Sequence, residues 1–248
     1  MRGMDRQGEQ EHKPAPLSVS SNGLCPRTQP TRRSQHVVAG RRRTGETRTP
    51  SGRPSLLGAA GKPPRRWRHC VEAVRDAVGP LSNRIALVGH SGGGLLLPTI
   101  AAAVAAPVSR LIFVDSGVPA STGETPLAPP FLLDHLRTRA VGGTLPPWST
   151  WWGEEAMRDL VPDEALRAAL MREMPSLPLS YFEQRVPTPA GWERLPCAYL
   201  LLSDAYRDAA GEARARGWRV EEITGAQHLH IVVAPEAVTD ALIRLATD

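Results

Sequence analysis

Hydrophobic and polar positions settle into two rhythms beyond residue 54. Ile85-Ala86-Leu87-Val88, Leu111-Ile112-Phe113-Val114 and Cys197 to Leu202 are continuous apolar runs bounded by Gly, Ser or Asp, the signature of strands buried on both faces. Arg219 to Ile223 reads as a fourth strand. Helical spacing lies between them. Pro64 to Val78 puts Trp67, Cys70, Val71, Val74 and Val78 on one face and stops at Gly79-Pro80. Leu95 to Ala106, Arg207 to Gly217 and Pro235 to Ala246 read as further helices, the last with Val238, Leu242, Ile243 and Leu245 inward. Pro54 to Gly58 reads as the end of a strand and its loop. Strands alternating with helices predict an α/β fold with a mostly parallel sheet and helices on both faces.

Residues 121–196 break the alternation. They are rich in proline, hold short helices such as Pro162 to Met174, and contain Trp148, Trp151, Trp152, Tyr181, Phe182 and Trp192. An insert between two strand ends lies over the carboxyl edge of the sheet, where ligands bind. It is expected to be a helical cap, with Trp148, Trp151 and Trp152 as candidate substrate-binding residues in an apolar pocket.

Residues 1–53 carry no helical or strand period and are rich in Arg, Pro, Ser, Thr, Gln and Gly. Charge sharpens the contrast. Residues 1–70 carry 15 of the 30 Lys and Arg but 4 of the 25 Asp and Glu, so the remainder is mildly acidic although the chain has a net charge of +5. The composition predicts a disordered basic tail at 1–53 and a folded domain at 54–248. No aromatic residue interleaves the basic ones before Trp67, which argues against a nucleic-acid partner. No apolar run reaches membrane-spanning length, and Cys25, Cys70 and Cys197 form no metal spacing or disulfide framework, so a cytoplasmic protein is expected.

The chemistry gathers at Gly89-His90-Ser91-Gly92-Gly93, a G-x-S-x-G sequence between a predicted strand and a predicted helix. At such a nucleophile elbow a sharp turn exposes the serine hydroxyl, and the N–H of the next residue, Gly92, points at the oxyanion that forms when Ser91 attacks a carbonyl. Gly89 and Gly93 leave room for the turn. A serine nucleophile needs a base and an orienting carboxylate. His228, in Gly225-Ala226-Gln227-His228-Leu229-His230, follows the fourth strand and is preferred to His230 as the base. Asp204 ends the preceding strand and is the expected acid. Asp115, ending the strand after the elbow, is its rival.

In the order Ser91, Asp204, His228, residues 54 to 248 resemble the C-terminal two-thirds of an α/β-hydrolase. The elbow, the histidine loop and Pro235-Glu236-Ala237-Val238 at the start of the last helix carry the likeness. Leu202-Ser203-Asp204 lacks the family's Gly-x-x-Asp pattern. The resemblance implies a serine hydrolase of esters, amides or related bonds, acting on a small molecule without a cofactor or metal. The family opens with a strand and a His-Gly loop whose N–H completes the oxyanion hole, and residues 1–53 contain neither. Those residues are therefore expected to be foreign to the domain, as a shifted reading frame or misassigned start would make them. The alternative function is an inactive, ligand-binding relative.

Overall fold

A computed structural model describes residues 56–247. The tail expected at 1–53 lies outside them. Among the described residues four parallel strands form the central sheet: β1 (Ile85–His90), β2 (Val108–Val114), β7 (Cys197–Leu201) and β8 (Arg219–Glu222), in the spatial order β1-β2-β7-β8. Register pairs Val88 with Ile112, Val114 with Leu200, and Leu201 with Glu222. All four strands therefore end at one carboxyl edge.

Alternation along the strands sorts their side chains onto two faces. Ile85, Leu87, Leu111, Phe113, Tyr199 and Leu201 join the larger core. There they meet α1 (Leu57–Ala60), α2 (Arg66–Val78), α3 (Leu97–Ala103) and α8 (Arg207–Ala215). Ala86, Val88, Ile112, Val114, Ala198 and Leu200 face the other way, against α10 (Pro235–Ala246). A four-residue helix, α9 (His230–Val233), precedes α10. The interior of α10 is Val238, Ala241, Leu242 and Leu245, spaced by three and four. Each fully buried Val or Leu contributes about 1.5–3 kcal/mol. Ile243, expected inward, is exposed, because it follows Leu242 by a further 100° of helical turn.

Two other boundaries differ from the sequence reading. Leu57 begins a short helix rather than the loop after a strand. The helix expected from Leu95 begins instead as a 3-10 turn over Ser91–Leu96 and becomes α-helical at Leu97, with Pro98 in its first turn, where a missing N–H costs nothing. It stops at Ala103, ahead of Pro107.

The insert forms a cap held by two small antiparallel pairs. β3 (Glu124–Pro126) pairs with β6 (Arg185–Pro187), and β4 (Thr144–Leu145) with β5 (Leu177–Pro178). Its helices are α4 (Pro130–Arg139), α5 (Glu154–Leu160), α6 (Glu164–Glu173) and α7 (Leu179–Phe182). Asp163 caps α6 through Leu166 N–H at 2.7 Å. The cap is tied down by Thr99 Oγ1 donating to the Pro187 carbonyl at 2.9 Å and by Gln184 Nε2 donating to the Pro64 carbonyl at 3.2 Å.

Candidate active site

Ser91 follows the last residue of β1 and has φ 55, a left-handed conformation that non-glycine residues rarely adopt. Close backbone approach makes this turn possible. A Cβ on Gly89 would lie 2.7 Å from Gly94 Cα and 2.9 Å from the Gly93 carbonyl carbon. A Cβ on Gly94 would lie 2.0 Å from Ser116 Oγ. The sequence suggested Gly89 and Gly93; Gly94 is a further position where a side chain would collide.

Asp115 follows the last residue of β2 and also has a positive φ, of 43. Its side chain is wholly buried and accepts from four donors. Leu202 N–H and Ser203 N–H each reach Oδ1 at 2.9 Å, while Ser203 Oγ at 2.5 Å and His228 Nδ1 at 2.8 Å reach Oδ2. Such pairing is what a carboxylate removed from water requires. His228 is equally buried. Because the carboxylate accepts, Nδ1 is the donor in this pair.

Asp204 does not occupy this place. It opens a 3-10 turn, Asp204–Tyr206, that carries its side chain to the surface, 87% exposed. There it accepts from Arg207 Nε at 3.0 Å. The expectation that Asp204 orients His228 is therefore corrected. β2 lies between β1 and β7 in the sheet, so the carboxylate at its end sits between the serine end and the histidine loop. His230, the alternative base, is half-buried at the start of α9.

Three aromatic rings surround His228. His90 Nε2 donates to the His228 carbonyl at 3.0 Å, with ring centroids 4.5 Å apart. Tyr206 stacks on the imidazole at 5.2 Å and 14°, and its hydroxyl lies 3.5 Å from Ser91 Oγ. Burial raises the Tyr206 phenol well above its usual range, so it stays neutral. Trp148 packs beside the imidazole at 6.4 Å. The sequence reading named neither His90 nor Tyr206 for a role. Tyr206 carried no signal, lying between the predicted strand end and the helix that starts at Arg207.

A cavity of about 350 Å³ opens beside Ser91 and Gly92. Its walls are mostly apolar: Leu95, Val118 and Ala205 near the sheet, with Leu127, Phe131 and Leu132 from the cap. Glu212 and Arg216 also line it, paired at 2.6 Å. Two of the three tryptophans expected to line it, Trp151 and Trp152, pack within the cap. Trp151 is fully buried in the cap, edge-on to Phe182 at 5.5 Å, with Nε1 donating to the Pro146 carbonyl at 2.8 Å. Trp152 stacks on His135 at 4.3 Å. Among the described residues no cluster of three or more His, Cys, Asp or Glu is placed to hold a metal ion, and no helix is long and apolar enough to cross a membrane.

The family model described as "Alpha/beta hydrolase family" matches residues 35–241. The chain belongs to the α/β-hydrolase family. The match begins upstream of Pro54, so it takes in part of the run read as foreign to the domain. Solved structures share the fold. An extracellular α/β-hydrolase from a Paenibacillus species, described as structurally and functionally homologous to tobacco salicylic acid binding protein 2, is 17% identical with a TM-score of 0.55, over 73% of this chain and 78% of that one. The pyrethroid hydrolase PytH is 19% identical with a TM-score of 0.54, over 77% and 80%. Tomato methylketone synthase I is 14% identical with a TM-score of 0.53, over 73% and 77%. A sequence comparison with curated proteins finds no match.

Proposed function

We propose that this α/β-hydrolase is a serine esterase acting on a small, partly apolar ester, with Ser91, His228 and Asp115 as its triad. The buried Asp115–His228 pair carries the reading. It fixes the imidazole with Nε2 free of hydrogen, the tautomer able to take the Ser91 proton. Attack by Ser91 Oγ on the carbonyl carbon gives a tetrahedral oxyanion, which the Gly92 N–H stabilises. His228 then returns the proton to the leaving alcohol. Water attacks the acyl-Ser91 ester by the same route and frees the acid. Asp115 stays ionised and stabilises the imidazolium at each stage.

The cavity supports the substrate class. Its apolar walls suit an acyl or alcohol group of modest size, and 350 Å³ is at the small end of ligand pockets. The esterases among the structural relatives agree with ester chemistry, as in polyneuridine aldehyde esterase at 15% identity and a TM-score of 0.50. The test is hydrolysis of 4-nitrophenyl butyrate by the whole chain and by Ser91→Ala. Turnover by the first and none by the second is expected. A folded chain without turnover on this or shorter activated esters would overturn the enzyme reading in favour of a ligand-binding relative.

A further inference from the structure

Tyr206 takes no part in the mechanism above, yet it is a hydroxyl-bearing side chain that meets both of its moving parts. Its hydroxyl is 3.5 Å from Ser91 Oγ, its ring lies flat against His228, and it lines the cavity. When Ser91 has attacked, the tetrahedral carbon carries two other oxygens, the former carbonyl oxygen and the leaving oxygen. Both lie close to Oγ, so a hydroxyl 3.5 Å from Oγ comes within hydrogen-bond reach of one of them. The stack selects which. His228 must deliver its proton to the leaving oxygen, so that oxygen sits on the imidazole side of Ser91. Tyr206 is held on the same side by its contact with the ring. The oxyanion points the other way, toward the Gly92 N–H.

We propose that Tyr206 is a further catalytic residue that donates a hydrogen bond to the leaving-group oxygen as the tetrahedral intermediate collapses. The inference rests on the hydrolase reading. In the step, the bond from carbon to the leaving oxygen breaks and its electron pair goes to that oxygen. The proton that His228 took from Ser91 moves to the same oxygen, and the carbonyl re-forms as acyl-Ser91. Tyr206 supplies a hydrogen bond while negative charge builds and keeps its own proton. Burial suits the phenol to this role, since it keeps its proton and remains a donor.

The dependence on the leaving group separates this role from others. An alkoxide is a poor leaving group and needs the donor, whereas 4-nitrophenolate scarcely does. The experiment compares kcat/KM, which reports acylation, for wild type and Tyr206→Phe on butyrate esters that differ only in the alcohol. Phenylalanine keeps the stack on His228 and removes only the hydroxyl. Loss of about tenfold on ethyl butyrate and less than about twofold on 4-nitrophenyl butyrate is expected, with an unchanged pH profile. An equal loss on every ester, no loss on any, or a displaced pH profile would overturn the proposal, because Tyr206 would then serve the oxyanion, nothing, or the placement of His228. If wild type hydrolyses none of the esters, the hydrolase reading itself falls and the Tyr206 role with it.

Discussion

His228 Nδ1 donates to Asp115 Oδ2 across 2.8 Å, with both side chains fully shielded from water although 113 residues of chain separate them. Asp204, one strand closer in sequence, is a surface partner of Arg207. Both inner strands of the sheet, β2 and β7, are followed by an aspartate, and the one after β2, next to the serine-bearing β1, is the one that meets His228. Distance along the chain has no part in that choice.

Asp115→Asn and Asp204→Asn should therefore behave oppositely. An asparagine at 115 can still accept from the Leu202 and Ser203 N–H groups but no longer holds the productive tautomer of His228. Esterase turnover should fall by about a thousandfold to ten-thousandfold. Asp204→Asn removes an exposed ion pair worth about 0–1 kcal/mol and should leave turnover within about twofold. Steady-state assays beside melting curves check both.

The crossing of backbones under Ser91 predicts a steric asymmetry. Gly89→Ala places its Cβ against backbone atoms of Gly93 and Gly94, which cannot move without moving the turn. It should cost about 3 kcal/mol or more in urea unfolding. The Cβ of Gly94→Ala meets chiefly the Ser116 side chain, so Gly94→Ala with Ser116→Gly should recover much of the loss. Failure of that pair to recover any stability would show that Ser116 is not the obstacle.

The separation of cap core from cavity wall is testable in the same way. Trp151→Ala should lower stability by about 3–5 kcal/mol, because the ring is buried against Phe182. Val118→Trp, at the cavity wall, should leave stability nearly intact but shorten the longest acyl chain that is hydrolysed. A 4-nitrophenyl ester ladder from acetate to octanoate reads the second effect.

Alkaline pH should destabilise the fold through its buried thiols. Burial pushes Cys70 up from 9.0 to about 12, and burial with a smaller contribution from Glu193 does the same for Cys197 against the opposing Arg216 and Arg110. Between those values the unfolded chain has released protons that the folded chain retains. Stability is thus complete below about pH 9 and falls as pH rises, by at most about 1.4 kcal/mol per pH unit for each thiol. Urea midpoints between pH 8.5 and 10 should decline less steeply in Cys70→Ala with Cys197→Ala than in wild type.

Much of the fold could be read from the chain because buried parallel strands are continuous apolar runs. Leu87-Val88 and Leu111 to Val114 admit little else. Ser91 and His228 stood out as candidates from their placement between strand and helix. Which aspartate meets His228 was not legible, since Asp115 and Asp204 both end strands at the same edge. The difference lies in the neighbour of β1, which is β2, and in the turn after β7, where Asp204 is exposed and accepts from Arg207, three residues on. Trp151 and Trp152 could not be told apart from ligand-facing rings, because aromatic content alone does not separate a ring that builds the cap from one that faces a ligand. Tyr206 and the cavity residues Val118, Leu127 and Leu132 depend on contacts between distant segments, which no local pattern encodes.

A fluorophosphonate probe tests the central claim most directly, because it bonds covalently to a serine only when a neighbouring base has activated it. Labelling of the whole chain, mapped to a peptide containing Ser91, should be abolished by Ser91→Ala, severely slowed by Asp115→Asn and unchanged by Asp204→Asn. A folded protein that takes up no label, or one whose labelling survives Ser91→Ala, would contradict the account.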